Sequence, residues 1–168
     1  MIAFGIFWVV AAGVALAVFR WLKTSRRLNP EWLAFTLTGA GLPTNVLCYR
    51  DRKSVSDDQA ERLLACLRSC AELLSERFGA VRAAAALGNV RVAQSATGEW
   101  EDGYGRKVGA QAWPGTKVVL TGPGFAGLMH ELLHFALDAA ERDPGYDHAG
   151  WAEKGYNALV ERYERERI

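Results

Sequence analysis

The segment His130-Glu131-Leu132-Leu133-His134 places two histidines and a glutamate at the spacing that one helical turn brings to a common face. His130 and His134 then point their imidazoles the same way, which suits two nitrogen ligands at about 2.0–2.1 Å from one zinc ion. Glu131 is adjacent on that face and can hold and deprotonate a water. Presenting water to a substrate requires three protein ligands and one open position, so a third ligand has to come from elsewhere in the chain. His148 is the remaining histidine and sits just past the turn signal Asp143-Pro144-Gly145. Glu153 competes with it, offering a carboxylate in place of an imidazole. The expected site is therefore His130, His134 and His148 on Zn2+, with Glu131 as general base, in an enzyme that hydrolyses amide bonds.

Phe125 to about Arg142 must be the helix that carries this site. Most of its positions are apolar, while Gly127, His130, Glu131, His134, Asp138 and Glu141 form one polar stripe. Ahead of it, Asn89 to Ala93, Lys107 to Trp113 and Thr116 to Thr121 read as short extended segments, with Pro114-Gly115 turning between the last two. These predict a small antiparallel sheet. Ser95 to Arg106 is rich in glycine and polar residues and reads as a loop near a sheet edge. Ser56 and Gln59 resemble a capping box, and Leu63, Leu64, Leu67, Cys70, Ala71, Leu74 and Phe78 continue an amphipathic helix as far as Gly79. A last helix, Trp151 to Arg167, gathers Ala152, Tyr156, Leu159, Val160 and Tyr163 on one face, and its string of Glu and Arg reads as a solvated face.

A chain of 168 residues holds one compact domain plus an accessory segment. Twenty Lys and Arg against nineteen Asp and Glu leave no global charge to attract nucleic acid, and none is expected as a partner. Cys48, Cys66 and Cys70 are too few and wrongly spaced for a disulfide framework or a zinc ribbon. Met1 to Phe19 carries no charge and, as a helix, would span the ~30 Å hydrocarbon core of a bilayer. Arg20, Lys23, Arg26 and Arg27 follow at once, which by the positive-inside bias keeps the later domain in the cytoplasm. A periplasmic or extracellular placement is the alternative, as is a signal peptide cleaved near Ala15-Leu16-Ala17. The expected organisation is a transmembrane anchor over residues 1–22, a juxtamembrane linker over 23–54 and a catalytic domain over 55–168 of a single-pass membrane protein. Its partners would be the membrane and a protein or peptide substrate.

Thr116 to Thr121 followed by the His130 to His134 helix resembles the zincin-like metallopeptidases, where a sheet whose edge strand aligns substrate precedes a His-Glu-x-x-His helix. With Tyr146-Asp147-His148-Ala149-Gly150-Trp151 further on, the pattern is similar to the minimal Spartan/SprT families, which place a third histidine ahead of a small residue and an aromatic one. That resemblance implies an α+β zincin-like domain with a small antiparallel sheet, an active-site helix and a C-terminal helix, preceded here by one transmembrane helix. The membrane segment departs from a DNA-repair protease, and no basic extension follows the domain. Gly145-Tyr146-Asp147-His148 is also similar to the end of the three-histidine motif of YbeY-type endoribonucleases, although Glu131 stands where those enzymes carry glycine. A zinc-dependent endoribonuclease is thus one alternative. Another is a non-catalytic, membrane-tethered zinc-binding interaction module, which would have no need of an acid beside two ligands. Around the site, Tyr146 and Tyr156 are candidates for oxyanion stabilisation, Asp138 for orienting a ligand and Cys48 for an inhibitory thiolate.

Overall fold

The computed structural model describes Val14 and residues 28–29, 31–39, 42–50, 56–95, 97–102, 104–141, 148 and 150–167. Ser56 opens helix α1 (Asp57–Phe78): its hydroxyl accepts from the Gln59 N–H while the Gln59 side chain accepts from the Ser56 N–H, so the capping box forms as the local sequence requires. Leu63, Cys66, Leu67, Cys70, Leu73 and Leu74 are the buried stripe of α1. The alanine-rich stretch beyond Gly79 is a second helix, α2 (Ala80–Leu87), burying Ala83, Ala86 and Leu87.

Among the described residues seven strands follow in chain order: β1 (Leu33–Gly39), β2 (Leu42–Tyr49), β3 (Arg91–Gln94), β4 (Trp100–Glu101), β5 (Lys107–Val108), β6 (Gln111–Trp113) and β7 (Val118–Thr121). Five of them form a sheet in the order β1-β2-β3-β7-β6, and β4 with β5 makes a separate two-stranded ribbon. The sheet is mixed, which corrects the expected antiparallel one: β2, β3 and β7 run parallel, and only the outer strands β1 and β6 are antiparallel to their neighbours. Its cause is topological, because α1 and α2 form a crossover between β2 and β3, and a crossover brings the chain back to start the next strand from the same end. Residues 33–49, expected within a linker, are a β-hairpin at one edge of this sheet.

Alternation sorts the strand residues between two faces. Leu37, Leu47, Val92, Val119 and Ala112 point toward the helices and join the main core. Cys48, Ala93, Val118 and Leu120 point the other way, where Trp100 of the ribbon covers them and its Nε1–H donates to the Thr121 carbonyl at 3.0 Å.

Two more helices complete the domain, α3 (Leu128–Glu141) and α4 (Tyr156–Glu166). Both begin later than the apolar periodicity suggests, and the backbone explains why. Gly124, Phe125 and Gly127 hold φ of 60°, 62° and 78° ahead of α3, and Gly155 holds 73° ahead of α4, conformations that cannot continue a right-handed helix. The loop before α3 is fastened by α4. The Tyr163 hydroxyl donates to the Phe125 carbonyl at 3.1 Å, the Gly127 N–H donates to Glu164 at 2.8 Å, and Arg167 donates to the Gly124 carbonyl at 2.8 Å while pairing with Glu164.

Among the described residues no helix is long and apolar enough to cross a membrane. The expected transmembrane helix, and the single-pass membrane placement that rested on it, are therefore not borne out among the described residues. The longest described helix, α1, carries charges along its length, and the apolar α3 has 14 residues and a length of about 21 Å against the ~30 Å of a bilayer core. Apart from Val14, residues 1–22 lie outside the described residues.

Gly127 is a tight point of this arrangement. A Cβ there would stand 2.6 Å from Ala110 Cβ on the approach to β6, and φ of 78° is itself strained for any side chain. Gly127→Ala is expected to lower the unfolding free energy by about 1–3 kcal/mol or more, the cost of overpacking, read as a reduced urea midpoint at unchanged slope.

Candidate metal centre

On α3, successive residues are rotated by about 100°, so His130, His134 and Glu131 fall in one sector of its surface while Leu128, Met129, Leu132, Leu133, Phe135, Ala136 and Leu137 are buried around the rest. His134 is buried, and His130 and His148 are half-buried. One nitrogen from each of the three can be chosen so that all lie within 4.8 Å of one another. The ring centroids stand 5.3 Å apart for His130 and His134, 4.7 Å for His130 and His148, and 5.1 Å for His134 and His148. These three side chains could hold a metal ion. The donor set fits one, since the Nε2 atoms of His134 and His148 are 3.3 Å apart, and two ligands on a tetrahedral ion with ~2.1 Å bonds are separated by roughly 3.4 Å. Among the described residues no further His, Cys, Asp or Glu joins the cluster.

Glu131 is 5% exposed, and its backbone N–H donates to the Gly127 carbonyl at 3.0 Å, the first helical hydrogen bond of α3. Its sequence neighbour His130 is in the cluster, and a carboxylate can exchange a proton with a water in reach.

His148 reaches the cluster from irregular chain. Its φ is 49°, Gly150 follows at 76°, and the Trp151 N–H donates to the His148 carbonyl at 3.0 Å, so residues 148–151 form a tight turn. Behind the cluster lies the Trp151 indole, with centroids 5.0 Å from His130, 5.1 Å from His134 and 4.5 Å from His148.

The competing ligand Glu153 is exposed and stands outside the cluster. Tyr156 is buried and packs edge-on to Trp151 at 6.0 Å rather than joining the imidazoles. Tyr146 lies outside the described residues, as does the side chain of Asp138. Cys48 packs on the far face of the sheet, and burial pushes its thiol up to about 11 from an ordinary 9.0. Burial raises Cys66 as well and holds Cys70 well above the usual range. All three thiols are therefore neutral at pH 7 and unsuited to act as thiolates.

Two residues escape a reading of the sequence. Glu164 belongs to the charged string of the last helix, yet it caps the start of α3 through Gly127. Its signal would have been the unsatisfied N–H groups that every helix start must pair. Trp151 reads as the opening of a helix, but Gly155 delays that helix and leaves the indole against the histidines.

No family model matches the chain, and no curated protein or solved structure matches it. The site thus stands on its geometry.

The buried thiols give a direct check. A soluble thiol reagent at pH 8 is expected to modify none of Cys48, Cys66 and Cys70 within minutes in the folded protein, and all of them after unfolding in urea. Because the folded pKa of Cys48 is raised, the stability it contributes is fully present below pH 9 and is lost as pH rises toward about 11, so the thermal midpoint should fall across that window.

Proposed function

We propose that this chain is a zinc-dependent metallopeptidase of the zincin-like, minimal Spartan/SprT-like type. The observation that carries the reading is the convergence of His130, His134 and His148, with the buried Glu131 next to His130 on α3. Three neutral imidazoles with an open position are the ligand set of a catalytic rather than a structural zinc, which would be closed by a fourth Cys or His. Zinc at such a site supplies Lewis acidity and lowers the pKa of water toward ~7.

The remaining chemistry belongs to the protein. Glu131 takes a proton from the attacking water as its oxygen bonds to the substrate carbonyl carbon, then returns that proton to the amide nitrogen as the C–N bond breaks. His130 and His134, fixed by α3, and His148, fixed by its turn, hold the geometry so that little reorganisation is needed. β6 is the outermost strand on its side of the sheet, and the close approach of Ala110 to Gly127 sets it beside the first turn of α3. An extended peptide adding to that edge would satisfy its backbone groups without a fixed sequence, which suits a protein or peptide substrate.

Metal analysis of the full chain should find one equivalent of zinc, lost in His134→Ala. Chelation should lower the thermal midpoint, since free zinc at 100 times its Kd adds about 2.7 kcal/mol to folding. Glu131→Gln should keep the zinc and lose about 10²–10⁴-fold in hydrolysis of an unfolded test protein. Undiminished proteolysis by Glu131→Gln, or cleavage of structured RNA in place of protein, overturns the reading.

A further inference from the structure

Resting on the metal-centre reading, we propose that Trp151 is the positioning residue of the three-histidine centre, seating His148 and holding all three imidazoles toward one point. His130 and His134 owe their places to α3, whereas His148 lies in neither helix nor strand. Its φ of 49° is a conformation that a non-glycine residue keeps only when its surroundings impose it. Among the described residues, Trp151 is one of the surroundings that do so. The Trp151 N–H donates to the His148 carbonyl at 3.0 Å, and the indole meets the imidazole edge-on at 4.5 Å with an interplanar angle of 82°.

Trp151 is itself anchored. It is 2% exposed, its carbonyl accepts the Tyr156 N–H at 2.9 Å, and its ring packs on Tyr156. Tyr156 in turn packs on Phe78 at 5.7 Å and carries the Arg77 guanidinium 5.4 Å from its ring centre. A continuous line of contacts therefore runs from the end of α1 through Tyr156 and Trp151 to His148. One indole also lies within about 5 Å of both α3 histidines, so a single side chain touches the whole ligand set. Ligands held by packed neighbours bind metal more tightly than the same ligands left free to choose rotamers.

The indole Nε1–H is sealed from solvent with no hydrogen-bond partner among the described residues. Phenylalanine at this position thus keeps a flat ring and forfeits no hydrogen bond, while leucine keeps apolar bulk and forfeits the flat face.

Zinc affinity of the full chain, measured by competition with a chromophoric chelator, and the visible spectrum of the Co2+-loaded protein separate these effects. Trp151→Phe is expected to stay within about threefold of the unaltered chain. Trp151→Leu should lose about 10–100-fold in zinc affinity, with a Co2+ spectrum moved to that of His148→Ala. Tyr156→Leu, which removes the support behind the indole without touching a ligand, should shift both readouts the same way by less, and it serves as the test if Trp151→Leu does not fold. Trp151→Leu or Tyr156→Leu with the affinity and spectrum of the unaltered chain overturns the role of Trp151. An unaltered chain that binds no zinc overturns the metal centre itself, so the two failures are told apart.

Discussion

The Glu164 carboxylate accepts the N–H of Gly127 at 2.8 Å, and the rest of the site depends on where that contact places the start of α3. The first N–H groups of a helix have no partner within it, and a carboxylate there meets both an orphan donor and the positive end of the helix dipole. Tyr163 holds the carbonyl of Phe125 and Arg167 that of Gly124, so the end of α4 clamps the loop from Gly124 to Gly127. A helix clamped at its first residue has a fixed rotation about its own axis. That rotation decides whether His130, Glu131 and His134 face His148 or the core.

The same clamp explains why glycine occupies position 127. A side chain there would meet Ala110, so β6 approaches α3 only because this one position has none. β6, α3 and α4 are thereby locked in one corner of the domain, although they come from separate stretches of the chain.

How much of this the sequence discloses varies with how local the determinant is. The capping box at Ser56 and Gln59 and the polar stripe of α3 are legible because each is written in neighbouring residues whose spacing the helix itself imposes. Strand direction is not legible, since Val118 to Thr121 alternates identically whether its neighbour runs parallel or antiparallel. α2 is hidden because a run of alanines shows little apolar periodicity, and only contact with the rest of the core decides which of them are inside. The β1–β2 hairpin is obscured by Pro43 and by the Gly39-Ala40-Gly41 cluster, which read as linker although Gly39 ends β1 and Pro43 lies in β2. His148 is found by counting histidines, but its partner Trp151 emerges only once the turn between them is known.

The order of strands in the sheet also carries a consequence for how the molecule comes into being. β1 and β2 are consecutive and can zip as a hairpin, and α1 and α2 need only their own residues to coil. β3, however, finds β2 only after the chain has closed a loop over both helices, and β7 finds β3 only after the ribbon and β6 have been passed. α3 has no sheet to lie on until these non-local pairings exist, and His148 has no α3 to face until α3 has docked. The three-histidine cluster is consequently among the last features to be assembled, and until then the nascent edge of β2 is open to pairing with other chains.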